Sequence, residues 1–220
     1  MSSAPAVNAS TRRQRAGRRP QVAASVVRQA TADLPTRFGR FTAVGYRDRR
    51  TGADHVALVL GDVRDKRAVL VRIQSECLTG EVFASLRCDC GEQLTAAQER
   101  IGAAGLGVVV YLRGHEGRGI GILNKLRAYA LQDRGWDTVS ANEHLGLPVD
   151  AREYAAVPEI LMDLGVHSAA LMTNNPAKVQ SLQRSSVGLV RQLPMPASVT
   201  PENVSYLLAK RDQLGHQLLL

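Results

Sequence analysis

Cysteine is scarce in this chain, with three thiols in 220 residues. An odd count with no secretory signal in view argues against a disulfide framework. Aromatic residues make up only 4%, a poor supply for stacking on bases. No apolar run approaches the roughly 18 residues that a membrane helix needs. Lysine is rare beside arginine, four against 24. Neither the dinucleotide-binding glycine pattern nor the P-loop pattern occurs. These absences predict a soluble protein, off the membrane, and with reduced thiols a cytoplasmic one.

Hydrophobic residues make up 45% of the chain, normal for a domain with a buried core. The net charge is +8, and residues 1–33 supply +5 of it, six Arg against one Asp. That stretch has no apolar period to bury and reads as a disordered basic tail. A nucleic-acid arm, a transit peptide or an export signal could share its composition. The Arg bias of the whole chain makes an incidental tail the simpler expectation. Residues 34–220 then form one domain.

Within that domain, His55 to Gly61 and Ala68 to Ile73 are short β-branched runs that read as strands. Leu94, Ala97, Ile101 and Ala104 share one face of a helix from Glu92 to Ala104. Leu106 to Leu112 is a strand apolar enough to be buried on both sides. A helix from Ile122 to Asp133, a strand from Ser168 to Thr173 and a helical turn opening at Pro176 follow. The last helix, Val204 to Leu214, is expected to pack on the outside. Strands alternating with helices of about ten residues predict an α/β fold with a mixed, largely buried sheet flanked by helices.

All three thiols fall in one segment, at Cys77, Cys88 and Cys90, a set that suits a soft divalent ion such as zinc. Three protein ligands leave a coordination position for water or substrate, as catalytic sites do. A closed four-ligand site would need His55, His115, His144, His167 or His216, none of which lies in that segment. The loop Arg113-Gly-His-Glu-Gly-Arg-Gly-Ile-Gly121 follows a strand and precedes a helix, where backbone N–H groups and arginine favour an anion. Thr173-Asn-Asn-Pro-Ala-Lys178 repeats the arrangement. One of its asparagines can cap the helix, while a lysine beside a positive helix end calls for a bound anion. By spacing alone, Asp150 and Arg152 read as a surface ion pair worth about 0–1 kcal/mol.

Taken in order, Ser-Glu-Cys77-Leu-Thr-Gly, Leu-Arg-Cys88-Asp-Cys90-Gly, Gly-His-Glu116-Gly-Arg118-Gly-Ile-Gly, Asn-Lys-Leu-Arg-Ala-Tyr129-Ala-Leu-Gln-Asp and Thr173-Asn-Asn-Pro strongly resemble GTP cyclohydrolase II. The resemblance runs from about Leu34 to His216. It implies one Zn²⁺ per subunit on Cys77, Cys88 and Cys90, with Mg²⁺ assisting at the triphosphate. It also implies GTP binding by Arg72, Ile73, Gln74, Ser75, Glu76, Gln93, Glu116, Gly117, Arg118, Thr138, Thr173 and Lys178. In the family, Asp150 matches a proton acceptor, Arg152 a nucleophile toward the α-phosphorus, and Tyr129 a tyrosine near the reacting base. Gln74 departs from the family, which usually has His there.

The implied reaction opens the guanine imidazole, releasing formate and pyrophosphate, at the first committed step of riboflavin synthesis. The implied assembly is a homodimer. Many relatives carry a dihydroxybutanone phosphate synthase domain, which the pattern in this chain does not include, so a monofunctional protein is expected. Two physical points qualify the roles. Three thiolates leave zinc at net charge −1, so water there is less acidified than at a three-histidine zinc, where its pKa is about 7. An arginine protonated below a pKa of ~12 is a poor nucleophile, and clamping phosphate charge is the easier task for Arg152. Two alternatives remain: a paralogue that stops at the ring-opened formamide or serves a secondary pathway, and a zinc-containing nucleic-acid binder. The charge concentrated in the tail disfavours the second, and no nucleic acid is expected as a partner.

Overall fold

The computed structural model describes Met1 and residues 24–218. Strands β1 (Val26–Thr36), β2 (Gly39–Asp48), β3 (Asp54–Leu60) and β4 (Val69–Ser75) come first, followed by α1 (Leu78–Glu81), α2 (Cys90–Ala104) and β5 (Gly107–Leu112). Then come α3 (Glu116–Gly119), α4 (Ile122–Gln132), α5 (Thr138–His144), α6 (Ala156–Asp163), β6 (Ser168–Met172), α7 (Pro176–Gln183), β7 (Gly188–Leu193) and α8 (Val204–Asp212). One seven-stranded sheet runs β1-β2-β3-β5-β4-β6-β7. The β1, β2, β3 and β5 pairs are antiparallel, and the β5, β4, β6 and β7 pairs are parallel. The fold is the α/β arrangement with a mixed, helix-flanked sheet that the sequence implies.

Two apolar layers enclose the sheet. On one face Val71, Ile73, Val108, Val110 and Leu171 pack against Val157, Ile160 and Leu161 of α6 and Leu182 of α7. On the other, Val109 and Met172 meet Ala97 and Ile101 of α2. Ile160 is fully buried, so Ile160→Ala is expected to cost about 2–5 kcal/mol in a denaturant titration. The chain leaves β4 toward the α2 face and leaves β6 toward the α6–α7 face. Adjacent strand ends whose connections diverge open a crevice, the usual ligand position in such sheets.

One boundary shifts. Residues 26–33, expected in the disordered tail, form most of β1. Their order comes from antiparallel pairing with Thr42–Asp48 of β2, and groups of the distant α6 pin the start of the strand. Glu159 of α6 accepts from the Ser25 and Val26 amides at 2.9 and 3.0 Å, and Arg28 pairs with Asp163 at 2.6 Å. The rest of that tail, residues 2–23, lies outside the described residues. Among the described residues no helix is long and apolar enough to cross a membrane.

Candidate active site

Cys77 precedes α1, while Cys88 and Cys90 sit at the turn that opens α2. Their sulfurs lie within 4.8 Å of one another, and Cys77 and Cys88 are 3.7 Å apart. Sulfurs bound tetrahedrally at about 2.3 Å to one zinc stand roughly 3.8 Å apart. A Cβ on Gly91 would fall 2.3 Å from the Gly80 carbonyl oxygen, and one on Gly80 would fall 2.6 Å from the Cys88 sulfur. Only glycines let these two turns close around the thiols. Among the described residues no histidine or carboxylate joins the cluster, so a four-ligand closure finds no partner here.

Hydrogen bonds from Cys88 and Cys90, then the Lys125 charge, draw the Cys77 pKa far below an ordinary thiol. Hydrogen bonding with Cys77 and Cys90, then burial, pushes Cys88 up. Three thiolates cannot coexist beside one ammonium without a further cation, and this donor set fits a soft divalent metal. Lys125 reaches Cys77 Sγ at 3.2 Å, Thr79 Oγ1 at 2.7 Å and Glu116 Oε1 at 2.6 Å. Burial opposes its charge, but Cys77, Tyr129 and Glu116 outweigh that and raise its pKa.

The thiols form one wall of an open cleft of about 670 Å³ that also takes in Glu76, Gly117, Arg118, Tyr129, Thr138 and Arg152. Tyr129 projects from α4 with the Arg87 guanidinium 4.3 Å from its ring centre. Burial raises the Tyr129 pKa against the opposing charge of Lys125, so the phenol keeps its proton at neutral pH and can donate it. Thr138 starts α5, whose end is capped by Asp137.

A second pocket at the ends of β4 and β6 shares Ser75, Cys90, Arg152 and Tyr206 with the cleft, so the two form one crevice. Arg72 is fixed by Gln74 Oε1 at 2.9 Å, Gln93 Oε1 at 2.8 Å and the Met172 carbonyl at 3.1 Å. Lys178 donates to the Ile73 carbonyl at 2.8 Å. Burial, with Arg72 and Arg152 nearby, drives its pKa well down. Thr173 holds the Asn175 amide at 3.0 Å, and Asn175 caps α7. Arg118 is held at φ 63° beside Gly117 at φ 58°, and both terminal guanidinium nitrogens are buried without a partner. Among the described residues Arg72, Arg118 and Lys178 pair with no carboxylate. Two guanidiniums and an amine that an incoming anion would charge, gathered at one crevice, can receive a polyanion.

Not every residue implied by the resemblance points into this space. Ile73 turns its side chain into the α6–α7 layer and offers the crevice side only its carbonyl. Glu116 supports the loops instead, accepting from the Leu78 amide at 2.6 Å and the Gly117 amide at 3.1 Å. Gln74 lines the phosphate end, with its amide donating to Glu81 Oε1 at 2.6 Å beneath the Cys90 turn. Asp150 binds Arg152 through Nε at 2.8 Å and a terminal nitrogen at 2.5 Å. The Arg152 side chain is 11% exposed and that of Asp150 30%, so the pair is half-buried at the rim rather than the fully exposed bridge its spacing suggested. Burial would raise the Asp150 pKa, yet Arg152 prevails and lowers it.

Sequence reasoning overlooked several residues. The last helix, expected outside, places Tyr206 and Lys210 against the crevice, with His216 just beyond. Lys210 meets Asp89 at 2.5 Å. The ring centre of Tyr154 lies 5.5 Å from that of His115, with Arg152 Cζ and Lys178 Nζ at 5.9 and 5.8 Å. One signal was available. Of four lysines in an arginine-rich chain, Lys125, Lys178 and Lys210 are buried at this site, and Lys66 alone is on the surface.

Burial, aided by Arg152 near His115 and Lys210 near His216, holds both histidines to about 3 against an ordinary 6.5. Both therefore stay neutral in the fold where the unfolded chain takes up protons. Stability is expected to fall as pH drops from about 6.5 toward 3, with about two protons taken up on unfolding near the middle. Melting temperatures across that range check it, and a flat profile would contradict the neutral histidines.

In this α/β protein a three-thiol cluster that could hold a metal ion opens onto a crevice lined by basic side chains. Residues 27–194 match the family model described as GTP cyclohydrolase II, and the chain belongs to that family of enzymes. It is 56% identical over 194 residues to the riboflavin biosynthesis protein RibBA of Nocardia farcinica, covering 88% of this chain and 47% of that protein. Against RibBA of Salinispora tropica the identity is 57% over 189 residues, 86% of this chain and 47% of the relative. A probable bifunctional riboflavin biosynthesis protein, RIBA 2, chloroplastic, of Oryza sativa subsp. japonica is 55% identical over 191 residues, 87% of this chain and 34% of its own. The chain thus spans about half the length, or less, of these curated relatives.

Proposed function

We propose that this chain hydrolyses GTP in riboflavin biosynthesis. It opens the guanine imidazole and releases formate and pyrophosphate, giving 2,5-diamino-6-(5-phospho-ribosylamino)pyrimidin-4(3H)-one. The observation that carries this reading is the single crevice joining the three thiols to three basic side chains without carboxylate partners. The catalytic unit is the sheet with its helices, from β1 onward. The nucleic-acid alternative loses support because these basic side chains are buried in a crevice rather than spread over a surface.

Zinc held by Cys77, Cys88 and Cys90 would supply Lewis acidity for activating water. Lys125 offsets thiolate charge and fixes Cys77. Tyr129, protonated at the thiol end, donates to the opening ring. Arg72 and Lys178, with Thr173 and Gln93 lining the same end, hold the triphosphate, Arg118 reaches it from the adjoining cleft, and Mg²⁺ would neutralise part of the phosphate charge. Arg152 clamps the α-phosphate, oriented by Asp150 through two side-chain bonds. Such a clamp acts on charge that develops in the transition state. A homodimer in the cytoplasm completes the reading, supported by exposed Val82, Phe83, Leu86 and Leu123 and by free thiols.

Incubating the purified protein with GTP, zinc and magnesium tests it. Formate and pyrophosphate in equal amounts, with the pyrimidine product, are the expected result. Ring-opened formamide without formate would indicate the paralogue, and absence of any turnover would overturn the proposal.

A further inference from the structure

The C-terminal helix lies beyond the residues matched to the family, 27–194, yet it roofs both halves of the crevice. Lys210 Nζ contacts Asp89 Oδ1 at 2.5 Å, and Asp89, between two of the thiols, is fully buried. The other Asp89 oxygen accepts from Gln93 Nε2 at 2.8 Å, and Gln93 Oε1 in turn accepts from Arg72 at 2.8 Å. One unbroken chain of bonds therefore links α8, the Cys88–Cys90 turn and a cation of the phosphate end. Past the helix, the Gln217 amide donates to the Asn174 carbonyl at 3.0 Å, tying the segment to the loop after β6. Tyr206 stands where the two halves meet, with Lys210 Nζ 4.4 Å and Arg118 Cζ 5.7 Å from its ring centre.

A nucleotide with its base at the thiols and its phosphates at Arg72 and Lys178 must pass Tyr206. In a chain with 4% aromatic residues, that ring is one of few flat apolar surfaces available to a purine nucleoside. We propose that α8 completes the nucleotide site: Tyr206 packs its ring against the nucleoside, and Lys210 is a positioning residue that sets the Cys88–Cys90 turn through Asp89. The Tyr206 half rests on the GTP reading above, whereas the Lys210 half does not.

Two measurements on the full chain decide the matter. In cobalt-substituted protein, Lys210→Met leaves the Asp89 carboxylate buried without its partner. Cobalt release, followed by the thiolate-to-metal absorption band, should quicken by about tenfold or more, the range known for groups that orient metal ligands. Lys210→Arg should recover most of that loss, which a general folding defect would not allow. Unchanged cobalt release in a folded Lys210→Met protein overturns the positioning role. Tyr206→Ala should raise KM for GTP about tenfold with a smaller change in kcat, as loss of one aromatic stacking surface would, and Tyr206→Phe should restore it. A KM within twofold of the unaltered chain overturns the contact. Should the unaltered chain fail to turn over GTP, the Tyr206 half falls with the GTP reading, and the cobalt band still decides Lys210.

Discussion

Cys88→Ser is expected to abolish metal binding and base opening together, with turnover falling roughly 10³-fold or more, since even losing an orienting partner of a ligand costs about 10–100-fold. Cys88 stands 3.7 Å from Cys77 in a cluster that no other histidine or carboxylate joins among the described residues. No spare donor can replace the lost sulfur. A serine hydroxyl is a harder and far less acidic ligand, and two thiolates hold a soft ion poorly. Metal content by atomic spectroscopy and formate release on the same sample provide the check. A metal-free variant with full activity would remove the cluster from the chemistry altogether. Folding should persist, because the sheet core does not depend on this turn. Circular dichroism then separates loss of metal from loss of structure.

Arg118→Met is expected to move stability and activity in opposite directions. Both terminal nitrogens of Arg118 are buried without a partner. The Tyr206 ring at 5.7 Å and the more distant charge of Asp150 offset the guanidinium only in part, since no carboxylate pairs with it directly. A buried polar group left unpaired costs about 1–3 kcal/mol, and a charge more. Methionine keeps similar bulk without that cost. Both side chains suffer the same strain at φ 63°, so the backbone contribution cancels. The ligand-free variant should therefore unfold several degrees higher, at roughly 2–4 °C per kcal/mol for a chain of this size. Its kcat/KM for GTP should fall about 10²-fold or more, through loss of a charge-assisted contact to phosphate. Stabilisation of the unaltered protein by GTP should largely vanish in the variant. If the variant melted lower and still bound GTP normally, the unpaired guanidinium would be a structural group and not a phosphate receptor.

What could be read from the sequence depended on the range of the forces involved. Leu106 to Leu112 announced a buried central strand because seven nearly continuous apolar residues fit little else, and β5 spans Gly107–Leu112. The helix expected from Glu92 to Ala104 forms as Cys90–Ala104, since Leu94, Ala97 and Ile101 keep a helical period. Pro176 marked the first turn of α7, with Asn175 as its cap. By contrast, β2 and β7 gave no clear local sign. Val190 is exposed and Arg191 and Gln192 interrupt β7, and pairing with β6 decides that strand. Most of β1 reads locally as tail because its order comes from pairing with β2 and from Glu159 and Asp163, more than 130 residues away, which hold its start.

The site divides along the same line. The sequence by itself determined the composition of the metal cluster, because three thiols in fourteen residues admit few other uses. It also determined the glycine-rich loop and, through the resemblance, the identity of the phosphate-end residues. Only the tertiary structure decided that Ile73 and Glu116 turn away from the open space while Arg118 is left without a partner. It alone brought α8 over the crevice, with Lys210 on Asp89, 121 residues apart in sequence. Side-chain chemistry and local period are written in the order of residues. Which charges go unpaired, and which distant helix closes a pocket, follow from how strands and helices pack in space.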